Sequence, residues 1–397
     1  MPWKESTLVD QRKEFIAAFQ AQEVSFTALC KYFNISRPTG YKWVVRYLAD
    51  GEAGLRDESR APHSQPRLTP EPVQTRILAL RAKHPTWGPK KLHSALEQRD
   101  PRTAWPAPST IGELLRREGL TCPRPARRRT PPQEQPLAHA EEPNHVWCAD
   151  FKGWFVCRNG ERCDPLTITD AYSRYLLRCR AVPKTDGSHV RTVFESVFRE
   201  YGLPLAIRTD NGPPFASTGL AGLSRLAVWW IRLGIRPERI DLGAPQQNGR
   251  HERFHLTLKI ETASPPRASL SQQQQAFLDF EREYNLVRPH EALGQQIPAS
   301  VYRRSPRPFP DHLDDLAYPF AVTLRRVSSG GHFGWQSHQV YVSVLLAGED
   351  VALRPIQDTL YEVFFGPLLL GWFDAPSATF TPNQPPPRRM RKQQAWI

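Results

Sequence analysis

Three acidic residues stand where a carboxylate is costly or conspicuous. Asp150 lies inside the apolar run Trp147-Cys148-Ala149-Asp150-Phe151, and Asp210 ends the stretch Leu205-Ala206-Ile207-Arg208-Thr209. Glu252 follows Asn248-Gly249 in a segment that also displays Arg253, His255 and Lys259. An aspartate within an apolar strand is unfavourable unless a cation or hydrogen bonds compensate it. Three carboxylates drawn from distant parts of a chain are the donor set that two hard divalent cations need, with Mg2+ preferring oxygen ligands and Mn2+ a possible substitute. Two such ions about 3.5–4 Å apart activate an attacking oxygen and stabilise a leaving one. Glu238, Asp241 and Glu261 are further acids in the same stretch. Lys259 lies seven residues beyond Glu252, on the same helical face. That place suits a phosphate beside the acids and equally a solvated lysine.

These acids need a sheet. Strands are expected at Trp147–Phe151, Leu166–Asp170 and Tyr175–Ala181, with Asn159-Gly160 as the hairpin signal. A helix over Ser188–Tyr201, a strand ending at Asp210, a helix around Leu220–Leu233 and a strand at Arg236–Arg239 follow, and a further helix from near Gln246 carries Glu252. Antiparallel strands followed by alternating helices and strands imply an α/β core with a mixed sheet over 146–305. Asp170 fits a turn cap better than a metal ligand. Cys157 and Cys163 flank the hairpin turn, but no second Cys or His pair has zinc-ligand spacing. His145, His251 and His255 could reach DNA, although histidines more often have humbler packing roles.

The charge has a location. The formal net charge is +13, with arginine far outnumbering lysine. Residues 1–145 carry net +7, residues 146–305 net +6 and residues 306–397 none. A polyanionic partner is the natural reading, and nucleic acid is the commonest. No apolar stretch approaches the roughly 20 residues needed to span a bilayer. The longest candidate, Val363–Phe373, is interrupted by Gly and Pro, and no signal segment follows Met1. Six cysteines in so long a chain do not make a disulfide scaffold, so a reducing cytosol is the expected compartment.

The flanking parts read as separate modules. Helical spacing over Gln11–Gln20, Phe26–Phe33 and Arg37–Ala49 makes residues 1–60 a helix-turn-helix unit. Ser36 caps the third helix, Trp43, Val44 and Leu48 face inward, and Arg37, Thr39, Lys42 and Arg46 remain for DNA. A second unit, 61–120, has helices over Glu71–Lys83, from Trp87-Gly88-Pro89-Lys90-Lys91, and over Thr110–Arg117 with Ser109 as cap. Lys90 and Lys91 are its candidate DNA contacts. Residues 121–145 form a proline-bearing linker whose run Arg127-Arg128-Arg129 could lie along a phosphate backbone. Five short strands between Ala321 and Phe373 suggest a small β-barrel at 306–380, and 381–397 is a basic tail.

Trp147-Cys148-Ala149-Asp150, Thr209-Asp210-Asn211-Gly212-Pro213-Pro214-Phe215 and Pro245-Gln246-Gln247-Asn248-Gly249-Arg250-His251-Glu252-Arg253-Phe254 together resemble the insertion-sequence transposases with a retroviral-integrase core. Tyr284-Asn285, Arg288-Pro289-His290 and Ala292-Leu293-Gly294 resemble that family's closing segment. The resemblance implies an RNase H-like core, a metal-binding triad of Asp150, Asp210 and Glu252, and Arg253 and Lys259 as DNA contacts. It also implies DNA partners, the element's terminal repeats and the target, handled by a homo-oligomer in the bacterial cytoplasm near the nucleoid. The C-terminal strands resemble the barrel that follows the core in phage Mu-like transposases. Two departures stand out. The family's usual spacing from Asp210 lands on Gln246 rather than Glu252, which implies a small insertion in 216–233, and Cys148 occupies a place where a small hydroxyl residue is usual. The expected activity is metal-dependent DNA cleavage and strand transfer. The alternatives are a nuclease of the same fold that does not join, and a non-enzymatic DNA-binding regulator built on 1–120.

Overall fold

In the computed structural model the described residues are 7–58, 68–121, 137, 139–240, 249–318 and 321–383. The chain forms two compact units, Met1–Thr69 and Pro70–Ile397. No helix among the described residues is long and apolar enough to cross a membrane.

The first unit holds α1 (Leu8–Ala21), α2 (Phe26–Tyr32) and α3 (Arg37–Asp50). Each starts at a hydroxyl cap: Thr7 in a capping box with Asp10, then Ser25 and Ser36. Phe15, Ile16, Leu29, Cys30, Trp43, Val44 and Leu55 form its core. Gly40 permits the close crossing of α2 and α3, since a Cβ there would lie 2.7 Å from Cys30 Sγ. Leu48, expected inside, is 75% exposed. It shares the outward stripe of Tyr41 and Val45, because positions 41, 45 and 48 follow the helical repeat.

The second unit begins with α4 (Glu71–Lys83), α5 (Pro89–Arg99) and α6 (Pro108–Arg117) around Ile77, Trp87, Leu92 and Ile111. The N-cap of α6 is Ala107, with no side-chain cap, rather than Ser109.

The central sheet comprises β1 (Val146–Phe151), the two-residue β2 (Phe155–Val156), β3 (Arg162–Asp170), β4 (Leu176–Val182), β5 (Ala206–Thr209) and β6 (Arg236–Arg239). β1 pairs antiparallel with β3 and parallel with β5, β3 pairs antiparallel with β2 and β4, and β5 pairs parallel with β6. The sheet is therefore mixed, as expected. Strand alternation divides its side chains. Trp147, Ala149, Leu166, Ile168 and Ile207 pack on α7 (Gly187–Tyr201) and α8 (Arg225–Arg232). On the other face, Cys163, Leu176 and Cys179 pack on α9 (Gly249–Thr262) and α10 (Leu270–Leu286) through Phe254, Leu258, Phe277 and Phe280. Cys157 and Cys163 are free thiols within that apolar cluster.

Beyond a short α11 (Pro298–Val301), the C-terminal part departs from the expected barrel. Its strands are β7 (Thr323–Arg326), β8 (His332–Trp335), β9 (His338–Tyr341), β10 (Asp350–Pro355), β11 (Leu360–Phe365), β12 (Leu368–Asp374) and β13 (Thr379–Pro382). Five of them form an open antiparallel sheet in the order β13-β12-β11-β10-β7, and β8 and β9 make a separate hairpin. The sheet need not close, because one face is covered by a helix. Ala227, Val228 and Ile231 of α8 join Val351, Leu353, Val363 and Phe365 in one core. α8 thus buries Leu226, Trp229 and Trp230 in the central domain and its opposite side in the C-terminal sheet. This accounts for its apolar character all round.

Candidate active site

β1 and β5 run parallel with Val146 opposite Ala206 and Cys148 opposite Arg208. Continued two residues past its last pair, this register sets Asp150 opposite Asp210. Both are half-buried at the carboxyl ends of their strands. Alternation puts them on the face away from α7 and α8, the side on which α9 packs. Their place follows from the pattern: apolar residues at 147, 149 and 207 hold one face in the core, and the acids take the other.

The turn after β5 is built around Asp210. The Gly212 amide donates to Asp210 Oδ1 at 3.1 Å, and the Asn211 side-chain amide donates to the Ile240 carbonyl at 2.8 Å. A Cβ at Gly212 would stand 2.9 Å from Asp210 Oδ2. Glycine therefore keeps the space beside this carboxylate open. Two adjacent carboxylates with open space beside one of them form an oxygen donor set that fits a hard divalent cation.

Glu252 lies in the first turn of α9 and is exposed. Among the described residues, no three His, Cys, Asp or Glu side chains converge closely enough to hold a metal ion. The β1–β5 register thus directs Asp150 and Asp210 to neighbouring strand ends, and Glu252 lies exposed on the helix over the same face. The residues joining β6 to α9, Asp241 among them, lie outside the described residues.

The other acids are engaged elsewhere. Glu238 pairs with Arg208 and Arg236, at 3.2 and 2.8 Å, and with His139 at 3.1 Å. Burial works to raise its carboxyl, but Arg236, His139 and Arg208 hold it below its ordinary value. Glu261 accepts from Arg288 Nη1 at 2.6 Å and from the Thr86 hydroxyl at 2.5 Å. Asp170, fully buried, accepts from the amides of Asn144 and Ser173 and from the Ser173 hydroxyl. It is a turn residue.

Two histidines of α9 point at the sheet. His251 Nε2 and His255 Nε2 lie 2.9 and 2.8 Å from Thr167 Oγ1, and Thr167 donates to the Asp150 carbonyl at 3.1 Å. Thr167 is the residue opposite Asp150 in the β1–β3 ladder. Burial lowers His251 to about 4 and holds His255 well below its ordinary value, where His251 and Lys152 add repulsion. Lys152 is itself lowered to about 8, first by burial and then by Lys259. Thr167 and Lys152 escape sequence reasoning, since a threonine in a strand and a lysine after one carry no motif. The i, i+4 spacing of His251 and His255 was the available signal.

Of the candidate DNA contacts, Arg37, Lys42 and Arg253 are exposed. Thr39 hydrogen-bonds Ser36 at the α3 cap, and Arg46 pairs with Glu58 and lies over Trp43. Lys90 pairs with Glu291 at 2.6 Å. Lys91 is partly buried against the central domain; burial lowers it to about 8, and Arg288 adds to the effect. Both lysines sit where the second helical unit docks on the central domain, a joint completed by His84 with Glu283 at 2.9 Å. Arg127, Arg128 and Arg129 lie outside the described residues.

The chain thus presents two three-helix units followed by a mixed sheet with acids at the ends of neighbouring parallel strands. Comparison with known families agrees. A Helix-turn-helix domain matches residues 11–63, a Homeodomain-like domain 39–115, and two Integrase core domain families match 140–245 and 233–298. An uncharacterized 39.2 kDa protein of insertion element IS476 from Xanthomonas euvesicatoria is 28% identical over 62% of this chain and 69% of its own. The transposase InsD of insertion element IS2 from Escherichia coli is 28% identical over 55% of this chain and 74% of its own. The HTLV-2 integrase catalytic core domain, solved with magnesium, overlaps 41% of this chain and 99% of its own at 17% identity and a TM-score of 0.33. The chain carries an integrase core behind helix-turn-helix domains and is related to the transposases of insertion elements.

Proposed function

We propose that the protein is a DNA transposase that cuts the ends of its element and joins them to target DNA. The observation that carries this reading is the parallel β1–β5 register, which continued two residues sets Asp150 beside Asp210, beneath the helix that bears Glu252. Asp150 and Asp210 would hold Mg2+, or Mn2+ in its place, with Glu252 completing the set. When bound, the metal would supply Lewis-acid activation of the attacking oxygen and neutralise charge at the phosphate. Arg253 and Lys259, on the same helix, bind the flanking phosphates, and the outward face of α3 with Arg37 and Lys42 reads the element end. Water attacks phosphorus, the bond to the 3′ oxygen breaks, and a 3′ hydroxyl is freed. That hydroxyl oxygen then attacks a target phosphorus in line, and the target's own 3′ oxygen leaves. No covalent enzyme intermediate forms. One chain has one set of three acids, so joining two ends calls for at least two chains or for serial use of one site with a large rearrangement.

The test is a strand-transfer assay with labelled duplexes cut from the DNA flanking the coding sequence. Asp150→Asn, Asp210→Asn and Glu252→Gln each remove a negative charge with little change of shape. Each is expected to abolish cleavage and joining and to leave DNA binding intact. Cleavage without joining in the wild-type chain makes it a nuclease, and binding without either makes it a regulator. Wild-type activity in Glu252→Gln moves the third ligand to another acid.

A further inference from the structure

Thr167 has one hydroxyl proton and three polar neighbours. The Asp150 carbonyl, at 3.1 Å, can only accept, so the proton goes there. The Thr167 oxygen is then an acceptor for both imidazoles, 2.9 Å from His251 Nε2 and 2.8 Å from His255 Nε2. Both rings therefore carry their proton on Nε2. One oxygen ties two points a helical turn apart on α9 to the backbone of the residue that bears the first acid.

The surroundings make this arrangement informative. Next to it, α9 buries Phe254 and Leu258 against Phe277, Phe280 and Tyr284. Apolar contacts of that kind are non-directional and tolerate small slips of a helix along the sheet. Each residue of slip moves the helix about 1.5 Å and rotates it by about 100 degrees. Buried hydrogen bonds allow no such slip without leaving polar groups unsatisfied. Glu252 follows His251 directly, so fixing His251 fixes where the Glu252 backbone stands relative to Asp150.

We propose that Thr167, His251 and His255 are positioning residues that set the register of α9 on the sheet, so that Glu252 can join Asp150 and Asp210. This rests on Glu252 being the third acid. The pair of variants that isolates the hydroxyl is Thr167→Val, which keeps the shape, and Thr167→Ser, which keeps the oxygen.

The experiment uses the full chain and two readouts besides activity: amide hydrogen exchange, and Mn2+ binding followed by loss of the free-ion EPR signal. In Thr167→Val, exchange across residues 251–262 is expected to quicken about tenfold, as when buried hydrogen bonds are lost, while exchange across 187–201 stays as in the wild type. The Mn2+ concentration for half-saturation is expected to rise by a similar factor, and Thr167→Ser is expected to restore both. Should Thr167→Val not fold, His255→Gln, which disturbs one of the two ties, is expected to give the same pattern at smaller size. Unchanged exchange and Mn2+ affinity in Thr167→Val overturns the proposal. So does Thr167→Ser as damaged as Thr167→Val. A wild-type chain whose Mn2+ binding matches that of Asp150→Asn sinks the metal site instead, and the exchange readout still decides whether the hydroxyl fixes α9.

Discussion

Asp210 can be displaced without being replaced. In Gly212→Ala the new methyl would stand 2.9 Å from Asp210 Oδ2 and 3.4 Å from Oδ1 and Cγ. Relaxed non-bonded contacts begin near 3.5 Å, so the nearer oxygen has to retreat by roughly half an ångström. The crowding atom is the end of a movable side chain, and Gly212 does not occupy the left-handed backbone region, so the fold absorbs the methyl by turning the carboxylate. A misplacement of about 1 Å at a reacting centre costs about a hundredfold in rate, which scales to about tenfold for half that distance. The assay is cleavage of a labelled element end at saturating Mg2+, with thermal unfolding and gel-shift binding as controls. The expected variant melts and binds like the wild type and cleaves about ten times more slowly. Cleavage at the wild-type rate would show that the position of Asp210 does not matter to the chemistry, and the paired-acid reading would fall with it.

Stability should carry the mark of Glu281. Burial raises its carboxyl to about 7 from 4.5, against the Cys179 amide and Arg178. The folded state then holds a proton that the unfolded state releases, so this stability is fully present below about pH 4.5 and lost as pH rises through 7. The free-energy difference between a carboxyl at 4.5 and one at about 7 is about 3 kcal/mol. Glu281→Gln should therefore be stabilised by about 3 kcal/mol in urea unfolding at pH 8 and by much less at pH 5; equal gains at both would refute the assignment. For the first unit, Arg37→Ala and Lys42→Ala should each lower the slope of log binding constant against log salt by about 0.9 if the side chain holds one phosphate. An unchanged slope in both would place the DNA on another face.

The sheet and its acids were legible because burial leaves a strong trace in sequence. Apolar residues at 147, 149 and 207 alternate with the chemistry-bearing positions, and the asparagine-glycine turns mark where strands end. α10 escaped notice because its inward residues Gln273, Phe277, Phe280, Tyr284 and Asn285 mix polar with apolar. Its polar members do structural work that no motif announces: the Asn285 side chain accepts from the Leu176 amide and donates to the Leu176 carbonyl. The barrel expectation failed for a related reason. Short strands and turns look alike whether a sheet closes on itself or lies against a helix, and only the second apolar face of α8 distinguishes the two. Sequence also could not tell which lysines face solvent. Lys90 and Lys91 are neighbours in the sequence, but the fold partly buries Lys91 near Arg288 and Glu261 and leaves Lys90 exposed in its pair with Glu291.

That joint gives α9 a second constraint. Near one end it is tied to Thr167 through His251 and His255; towards the other, Glu261 accepts from Arg288 and from Thr86 of the second helical unit. Arg288 is almost wholly buried, with only 7% of its side chain exposed, so its pair with Glu261 gains little net stability but is costly to break. An interaction of that kind sets geometry rather than strength. The helix bearing Glu252 is therefore held from the sheet on one side and from a helix-turn-helix unit on the other.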